Sequence, residues 1–318
     1  MKRNRTGFTL IELLTVIGII AIMISLLIPA VNMVRLKAKE AEQTAQFNSI
    51  ALALDAFRDD YGDYPESDWA PPNQLPTPDY QGAQRFTEAL MGWDLLGFHP
   101  DSAWNAQGLD ESLDLTDPVY RRPLDPAIDP LDKRNLNERR GPYLESETAN
   151  VFRLAPQIVG GDDGLYYHLM FPGATSGAAD TYVLCDVFGV KRIISPGQSG
   201  TVMAGTPILY YRANTSSNIM SLVDSRNSRY DVYDNSLYLI LPHLADLDKL
   251  PAQQRDHPLG QEPALFYNSG SAPYDYKYLI IDQRVQQTIT WPHKPDSYIL
   301  ISAGADGLFG TVDDITNF

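Results

Sequence analysis

The most constraining feature of this sequence is an apolar run from Phe8 to Ile28 that contains a single carboxylate, Glu12. The run is slightly longer than the roughly 20 residues that a helix needs to cross the hydrocarbon core of a bilayer. An acid within a membrane span is costly unless it meets a partner, so it is interpreted as functional. The sequence therefore predicts a transmembrane helix over residues 8–28, with Glu12 as its functional acid.

Three basic residues, Lys2, Arg3 and Arg5, precede the apolar run. Basic flanks stay on the cytoplasmic side of a membrane, which sends the remainder of the chain outward. An ordinary cleaved signal peptide carries a small-residue cleavage site after its apolar middle. Residues 28–33 offer only a weak site of that kind, and the sequence continues into a charged, helix-favouring stretch.

A basic leader, Gly7, Phe8 and the acid at Glu12 together resemble the class III signal of type IV pilins and pseudopilins. The resemblance implies that a prepilin peptidase cuts between Gly7 and Phe8, removes the leader 1–7 and methylates the new amine. It implies that Glu12 of one subunit pairs with the Phe8 amine of its neighbour. It also implies an inner-membrane protein with a periplasmic C-terminal domain, or display at the cell surface. The alternative is a plain single-pass anchor.

A second helical segment follows the membrane run and extends to Tyr61. From Val31 onward, apolar residues recur at three- and four-residue spacing, which predicts an amphipathic helix. Pro29 is expected to kink or locally melt the helix, because proline lacks a backbone donor. Gly62 and Pro65 are expected to end it. Residues 29–61 are thus predicted to form a stalk helix that continues the membrane helix 8–28.

The remaining residues, 62–318, are expected to form a globular domain. A short helix is predicted over Phe86–Leu96, and aromatic and β-branched content predicts several strands. The predicted strands are Thr181–Phe188, Pro207–Ala213, Ser236–Leu241, Tyr276–Ile281 and Ser297–Ser302. These elements indicate an α+β fold. By resemblance it is the type IV pilin-like fold, a long N-terminal helix packed on an antiparallel β-sheet, here with large loop insertions.

Charge and cysteine content exclude some classes of partner. The net charge is −15, and nucleic-acid binding needs a concentrated basic surface, so no nucleic-acid partner is expected. Cys185 is the only cysteine and cannot form an internal disulfide. Its isolation separates the chain from the many major pilins that staple a C-terminal loop with a disulfide.

The second informative passage is the C-terminal stretch from Ser297 to Ile315, where an apolar strand enters a loop. The loop contains three glycines and three aspartates: Gly304, Gly307, Gly310, Asp306, Asp313 and Asp314. Glycine allows tight turns, and Ca²⁺ accepts about 6–8 oxygens, including backbone carbonyls. Carboxylates brought together without a cation repel one another. The pattern predicts a calcium loop over 302–315; the alternative is a metal-free turn with solvated aspartates.

This segment is similar to the calcium loop of the major pseudopilin of type II secretion. The resemblance implies carboxylate ligands from Asp306, Asp313 and Asp314, and main-chain oxygen ligands from Ala303, Leu308 and Thr311. The loop is not an EF-hand, because the alternating acidic positions of that motif are absent.

Catalytic motifs are absent from the sequence. The five histidines are scattered, with no pair at helical metal-ligand spacing. Gly197–Gly200 resembles a nucleophile elbow only superficially, because its second glycine comes one residue early. We therefore expect no enzymatic activity.

The resemblance is close over residues 1–61 and 297–318 and loose between them. It implies a pseudopilin-like subunit of a type II secretion pseudopilus, which polymerises with itself and with other pseudopilins on an inner-membrane secretion platform. One alternative is a type IV pilin for adhesion, motility or DNA uptake. Another is a membrane-tethered module that binds carbohydrate or protein, for which four Trp and 18 Tyr would provide stacking surfaces.

Overall fold

The structure is a computed structural model. It describes residues 9–67, 80–104, 108, 119–120, 136–145, 149–154, 181–194, 201–220, 227–240, 242–246, 249–266, 280–282 and 291–318. The chain divides into two compact units, Met1–Glu42 and Gln43–Phe318. The first unit contains the N-terminal part of one long helix. The second contains the rest of that helix and the α+β domain.

Helix α1 extends from Leu10 to Tyr61 and has 52 residues. It is unbroken at Pro29, so the predicted local melting is wrong. Proline removes only one backbone N–H donor, and the hydrogen bonds of the flanking residues keep the helix continuous. A kink at Pro29 stays a prediction. The helix ends as predicted: Gly62 adopts φ 88° and its N–H donates to the Arg58 carbonyl at 2.7 Å.

The C-terminal part of α1 has one buried face. Its large buried residues follow the three- and four-residue spacing of an amphipathic helix: Gln43, Phe47, Ile50, Leu54 and Phe57. This face packs against helix α2 (Gly82–Met91) and one face of the central sheet. The amphipathic stalk helix predicted from the sequence is confirmed over this stretch.

Within the described residues, the strands form three small antiparallel sheets. Strand β1 (Val151–Arg153) pairs with β2 (Tyr182–Leu184), and β3 (Lys191–Ile194) pairs with β4 (Thr201–Ala204). The third sheet has the order β5 (Leu209–Arg212), β6 (Tyr298–Ser302) and β7 (Ile315–Thr316). Strands β2, β5 and β6 confirm three sequence predictions, and the α+β class is confirmed.

Two predicted elements differ from the structure. The predicted strand Ser236–Leu241 is wrong, because Ser236–Ile240 is helix α3, which continues a 3₁₀ turn that begins after Asp231. Short apolar runs do not distinguish strand from helix. The predicted helix Phe86–Leu96 is shifted: α2 ends before Gly92, whose φ is 87°. Most of the predicted strand Tyr276–Ile281 lies outside the described residues.

Strand β6 lies at the centre of the core and all five of its residues are buried. Tyr298 and Leu300 contact the cluster that includes α1 and α2. Ile299 and Ile301 point to the other face and join a cluster that contains Leu244, Leu259 and Phe309. Successive side chains of β6 thus point to opposite faces of the sheet, as expected for a strand that is buried on both faces. The C-terminal loop starts directly after β6 and returns in β7.

Candidate functional site

The N-terminal candidate site includes Gly7 and Phe8, which lie outside the described residues, and Glu12, which is described. Thr9 precedes the first residue of α1, and its N–H and hydroxyl both donate to Glu12 Oε2, at 2.9 and 2.6 Å. The Thr9 hydroxyl accepts from the Glu12 N–H at 3.3 Å. This reciprocal arrangement is a capping box, which satisfies backbone donors at a helix start.

This local role of Glu12 was not predicted from the sequence, where the acid was assigned to subunit pairing. The signal was present as Thr9 followed three residues later by glutamate, the standard capping-box spacing. The Glu12 carboxylate therefore helps to cap the N-terminus of the helix that contains it. Any pairing with a neighbouring subunit has to compete with two hydrogen bonds from Thr9.

Helix α1 is, within the described residues, the one helix long and apolar enough to cross a membrane. Its most apolar 18-residue window has a mean hydropathy of 2.7, and none of that window is buried in the chain. Large apolar side chains are exposed along it, from Leu10 to Ile28. An uncovered apolar surface of this extent requires lipid or a protein partner. Together with the signal at its start, the helix fits a single-pass membrane-anchored protein.

The C-terminal candidate site is the loop between β6 and β7, in which the aspartates accept hydrogen bonds from backbone amides. Asp306 Oδ1 accepts from the Leu308 N–H at 2.8 Å, and Asp313 Oδ2 accepts from the Asp306 N–H at 2.9 Å. Asp314 Oδ2 accepts from the Gly310 N–H at 3.0 Å. The carboxylates thus shape the backbone of the loop that contains them.

Three acceptor oxygens converge on one hydroxyl in this loop. Thr311 Oγ1 lies 2.6 Å from Asp313 Oδ1, 3.2 Å from Asp314 Oδ1 and 3.3 Å from the Leu308 carbonyl oxygen. A hydroxyl has one proton, so it satisfies one of these acceptors at a time. Burial raises the pKa of Asp306, and the nearby Asp313 charge raises it further against the opposing effect of the Leu308 amide. The loop therefore brings the like charges of Asp306 and Asp313 close together.

The residue types of the predicted metal ligands suit a hard cation, but the structure does not arrange these residues around a common centre. Carboxylate and main-chain carbonyl oxygens are the ligands that a hard cation such as Ca²⁺ prefers. Among the described residues, however, no group of three or more His, Cys, Asp or Glu side chains is placed to hold a metal ion. Ala303, the first predicted carbonyl ligand, is buried in the core behind β6. The calcium site stays a prediction.

Two histidines for which the sequence predicts no role lie against this loop. His257 Nδ1 accepts from the Phe309 N–H at 3.0 Å. The ring of His243 is so close to Gly307 that a methyl group there would lie 2.5 Å from His243 Nε2. Neither histidine has a metal-ligand spacing in the sequence, and each is more than fifty residues from the loop residue that it contacts, so no local pattern identifies them.

The described tryptophans do not form an open stacking surface for sugars. Trp93 stacks on Tyr120 with ring centroids 6.2 Å apart, and Trp104 stacks on Phe98 at 4.8 Å. Trp291 lies under the Arg229 guanidinium at 5.0 Å. Trp69 lies outside the described residues. A polar cavity beside Arg212 measures about 270 Å³, below the roughly 300–1,000 Å³ of typical ligand pockets.

Comparison with known proteins finds one match, which lies at the N-terminus. A family model described as the prokaryotic N-terminal methylation motif matches residues 2–28. No curated protein and no solved structure matches the chain. The motif indicates a precursor of the type IV pilin-like or pseudopilin kind. It implies processing by prepilin peptidase and polymerisation into a filament, and it suggests a structural protein rather than an enzyme.

Proposed function

We propose that this chain is a pseudopilin-like structural subunit of a type II secretion pseudopilus, with its α+β domain in the periplasm. The observation that carries the proposal is the methylation motif at residues 2–28, which overlaps the uncovered apolar part of helix α1, where Glu12 is the only acid between residues 10 and 28. The subunit polymerises with itself and with other pseudopilins on an inner-membrane platform and drives protein export mechanically.

Assembly depends on charge at the start of α1. Cleavage after Gly7 removes three basic side chains and creates an α-amino cation at Phe8, close to Glu12. In hydrocarbon, the Glu12 carboxylate needs a counter-charge, because an unpaired charge there is costly. The amine of a neighbouring subunit supplies it, and lateral packing of the apolar helices then excludes both groups from water.

Substitutions at Gly7 and Glu12 test this proposal. Gly7→Val should leave an unprocessed precursor in the membrane, which intact-mass measurement detects as a retained leader. Glu12→Gln removes the charge but keeps a side-chain oxygen for the capping box, in which glutamine also occurs. It should therefore insert normally yet fail to enter crosslinked filaments. The matched control is Glu40→Gln, at an exposed position of the same helix. Normal crosslinked oligomers of Glu12→Gln would contradict the pairing role.

We further propose that the C-terminal loop binds one Ca²⁺ through the carboxylates of Asp306, Asp313 and Asp314. The main-chain oxygens of Ala303, Leu308 and Thr311 would complete the ligand set. A bound cation would neutralise the carboxylates that converge on the Thr311 hydroxyl. Chelation with EGTA should lower the melting temperature, and native mass spectrometry should detect one calcium per chain. Neither effect should occur in Asp313→Asn combined with Asp314→Asn, and their absence in the wild type would refute the site.

A surface type IV pilin is the second candidate, because the methylation motif is common to both kinds of filament. Deletion of the gene distinguishes them. Loss of protein export with intact motility supports the pseudopilus, whereas loss of adhesion or motility with normal export supports the pilus.

A further inference from the structure

A polar cavity, called the β5 cavity below, lies where strand β5 ends. Its described walls come from the residues after helix α1, from the end of β5 with the loop that follows it, and from the segment before helix α3. The charged wall residues are Glu66, Arg212, Arg229, Asp231 and Asp234. The cavity measures about 270 Å³, which is below the range of pockets that take drug-sized ligands. It therefore suits only a small ligand.

The walls of the β5 cavity are fixed by hydrogen bonds between distant parts of the chain. Ser67 is buried, and its hydroxyl donates to Asp234 Oδ2 at 2.6 Å and accepts from the Arg212 N–H at 2.8 Å. The Asn214 N–H donates to the Arg229 carbonyl at 2.7 Å. A site whose walls are formed before the ligand arrives loses less conformational entropy on binding. These contacts favour a preformed binding site.

Arg229 contributes a buried charge to this wall. Its side chain is 4% exposed, and its guanidinium carbon lies 5.0 Å from the centre of the Trp291 ring. Its Nη1 donates to the Asn214 carbonyl at 3.3 Å, and its buried Nε has no hydrogen-bond partner in the described part of the chain. The carboxylate that pairs with Arg229, that of Asp296, is 3.9 Å away and 82% exposed. Because a buried charge is costly unless it is paired and hydrogen-bonded, Arg229 has the capacity to bind a further anionic group.

Arg212, the other arginine of the wall, already has its counter-charges. Its Nη2 forms an ion pair with Asp63, and its Nη1 lies 3.9 Å from Glu66 Oε1. Its side chain is 27% exposed, so water also screens its charge. The anion-binding capacity of the β5 cavity therefore belongs to Arg229.

The acids of the wall disfavour a ligand that carries only negative charge. Three carboxylates, from Glu66, Asp231 and Asp234, share the cavity with the two arginines. Phosphate or sulfate would be attracted by Arg229 but repelled by these carboxylates. A ligand that carries an ammonium group beside a carboxylate meets an opposite charge for each of its own. Electrostatic complementarity thus selects a zwitterion.

We propose that the β5 cavity binds a free α-amino acid, whose carboxylate pairs with Arg229 and whose ammonium group is held by Asp231 and Glu66. Arginine suits the carboxylate because its fork of N–H donors binds both carboxylate oxygens. The residues of this site lie outside the N-terminal motif. The site therefore adds a ligand-binding role to the structural role proposed above.

Calorimetric titration of the full chain in detergent tests the proposal. The probes are glycine, L-serine and L-aspartate, and the comparison ligands are acetate and methylammonium, which each carry one of the two charges. At least one of the amino acids should bind about 10-fold or more tightly than either comparison ligand, because each of these lacks one charged hydrogen-bonding group.

Substitutions that remove charge locate the binding site. Arg229→Gln and Asp231→Asn should each weaken amino-acid binding about 10-fold or more. Asp231 Oδ1 accepts from the Tyr233 N–H at 2.9 Å and caps a 3₁₀ turn, and asparagine is an equally good cap. Asp231→Asn thus removes the charge and keeps the cap, so it decides the test if Arg229→Gln fails to fold.

Arg192→Gln is the matched control, because Arg192 is exposed on strand β3 and does not line the cavity. This substitution removes the same charge as Arg229→Gln and should leave amino-acid affinity unchanged. The melting temperature of each variant without ligand shows whether the variant is folded.

Three results would each overturn the proposal. If none of the three amino acids binds to the wild-type chain, the cavity is not an amino-acid site. If acetate binds as tightly as the best amino acid, the site recognises a simple carboxylate and the ammonium contact is wrong. If folded Asp231→Asn binds amino acids as tightly as the wild type, binding occurs elsewhere. The proposed filament role would stand in all three cases, because it rests on the N-terminal motif.

Discussion

His257 is a buried imidazole that the fold requires in its neutral form. Its Nδ1 accepts the Phe309 N–H, and a doubly protonated ring has no acceptor. Burial, and then the charges of His243 and Arg255, lower the pKa of His257 to about 3 from an ordinary value of 6.5. In the folded chain, His257 therefore binds a proton only at much lower pH than it does in the unfolded chain.

This difference predicts an acid-dependent loss of stability. Between pH 6.5 and 3, the unfolded state binds one more proton at this position, so stability decreases as the pH falls. The slope from His257 alone is about 1.4 kcal/mol per pH unit. His257→Asn removes the titrating group, and its free energy of unfolding should therefore vary less between pH 7 and pH 5. Urea titrations in EGTA at each pH measure the difference, and parallel curves for the two proteins would contradict the assignment.

Arg139 and Asp94 form a buried ion pair, in which Arg139 Nη1 lies 2.8 Å from both carboxylate oxygens. Both side chains are 2% exposed. Arg139→Ala should destabilise the domain by about 3–5 kcal/mol, because it leaves a buried carboxylate without its counter-charge. Lys37→Ala is the control: Lys37 pairs with Glu40 at 2.6 Å on the exposed helix surface, and its loss should cost below about 0.5 kcal/mol. Chemical denaturation compares the two.

At the scale of elements, α1 has one buried and one exposed face within the second unit. Leu54 is fully buried against the core, whereas Leu52 is 72% exposed. Leu54→Ala should cost about 2–5 kcal/mol through lost burial and a cavity. Leu52→Ala should change stability by less than about 0.5 kcal/mol, since it touches no core. Equal unfolding free energies for these two variants would show that the C-terminal part of α1 does not pack on the domain.

Local patterns predicted the elements whose residues specify them directly. The spacing of Ile50, Leu54 and Phe57 predicted the amphipathic helix, and the apolar run at Ser297–Ser302 predicted β6. The type of Ser236–Ile240 was not predictable, because its five residues fit a strand as well as a helix. The preceding 3₁₀ turn continues directly into it, and the segment is helical. The existence and the type of a secondary-structure element were predictable where its hydrophobic period extended over several turns.

Contacts between distant segments were not predictable in this way. The aspartates of the C-terminal loop were recognised because they lie close together in sequence, whereas His243 and His257 reach the loop only through the tertiary fold. Nothing in the spacing of five scattered histidines identifies these two. The capping box of Thr9 and Glu12 was predictable from their three-residue spacing, whereas the prediction made for Glu12 used only its charge within a membrane span.

At the scale of the whole molecule, the division of the chain at Gln43 predicts which part folds independently. Gln43 Oε1 accepts from the Val187 N–H at 3.0 Å, and Gln46 Nε2 donates to the Cys185 carbonyl at 2.9 Å. The side chains before this point, from Leu10 to Glu42, are described as exposed or half-buried. Stability of the domain should therefore depend on α1 from Gln43 onward.

Two truncated chains test this boundary. A chain of residues 40–318 keeps every buried residue of α1 and should melt as cooperatively as the full protein. A chain of residues 51–318 loses three buried residues of α1, namely Gln43, Phe47 and Ile50. Loss of a large buried apolar side chain such as Phe47 or Ile50 costs on the order of 2–5 kcal/mol. It should melt at a much lower temperature or not fold at all. Circular dichroism measures the melting temperature of each chain. Equal melting temperatures would place the start of the folded domain after Ile50 and would show that the stalk helix before that residue does not contribute to the core.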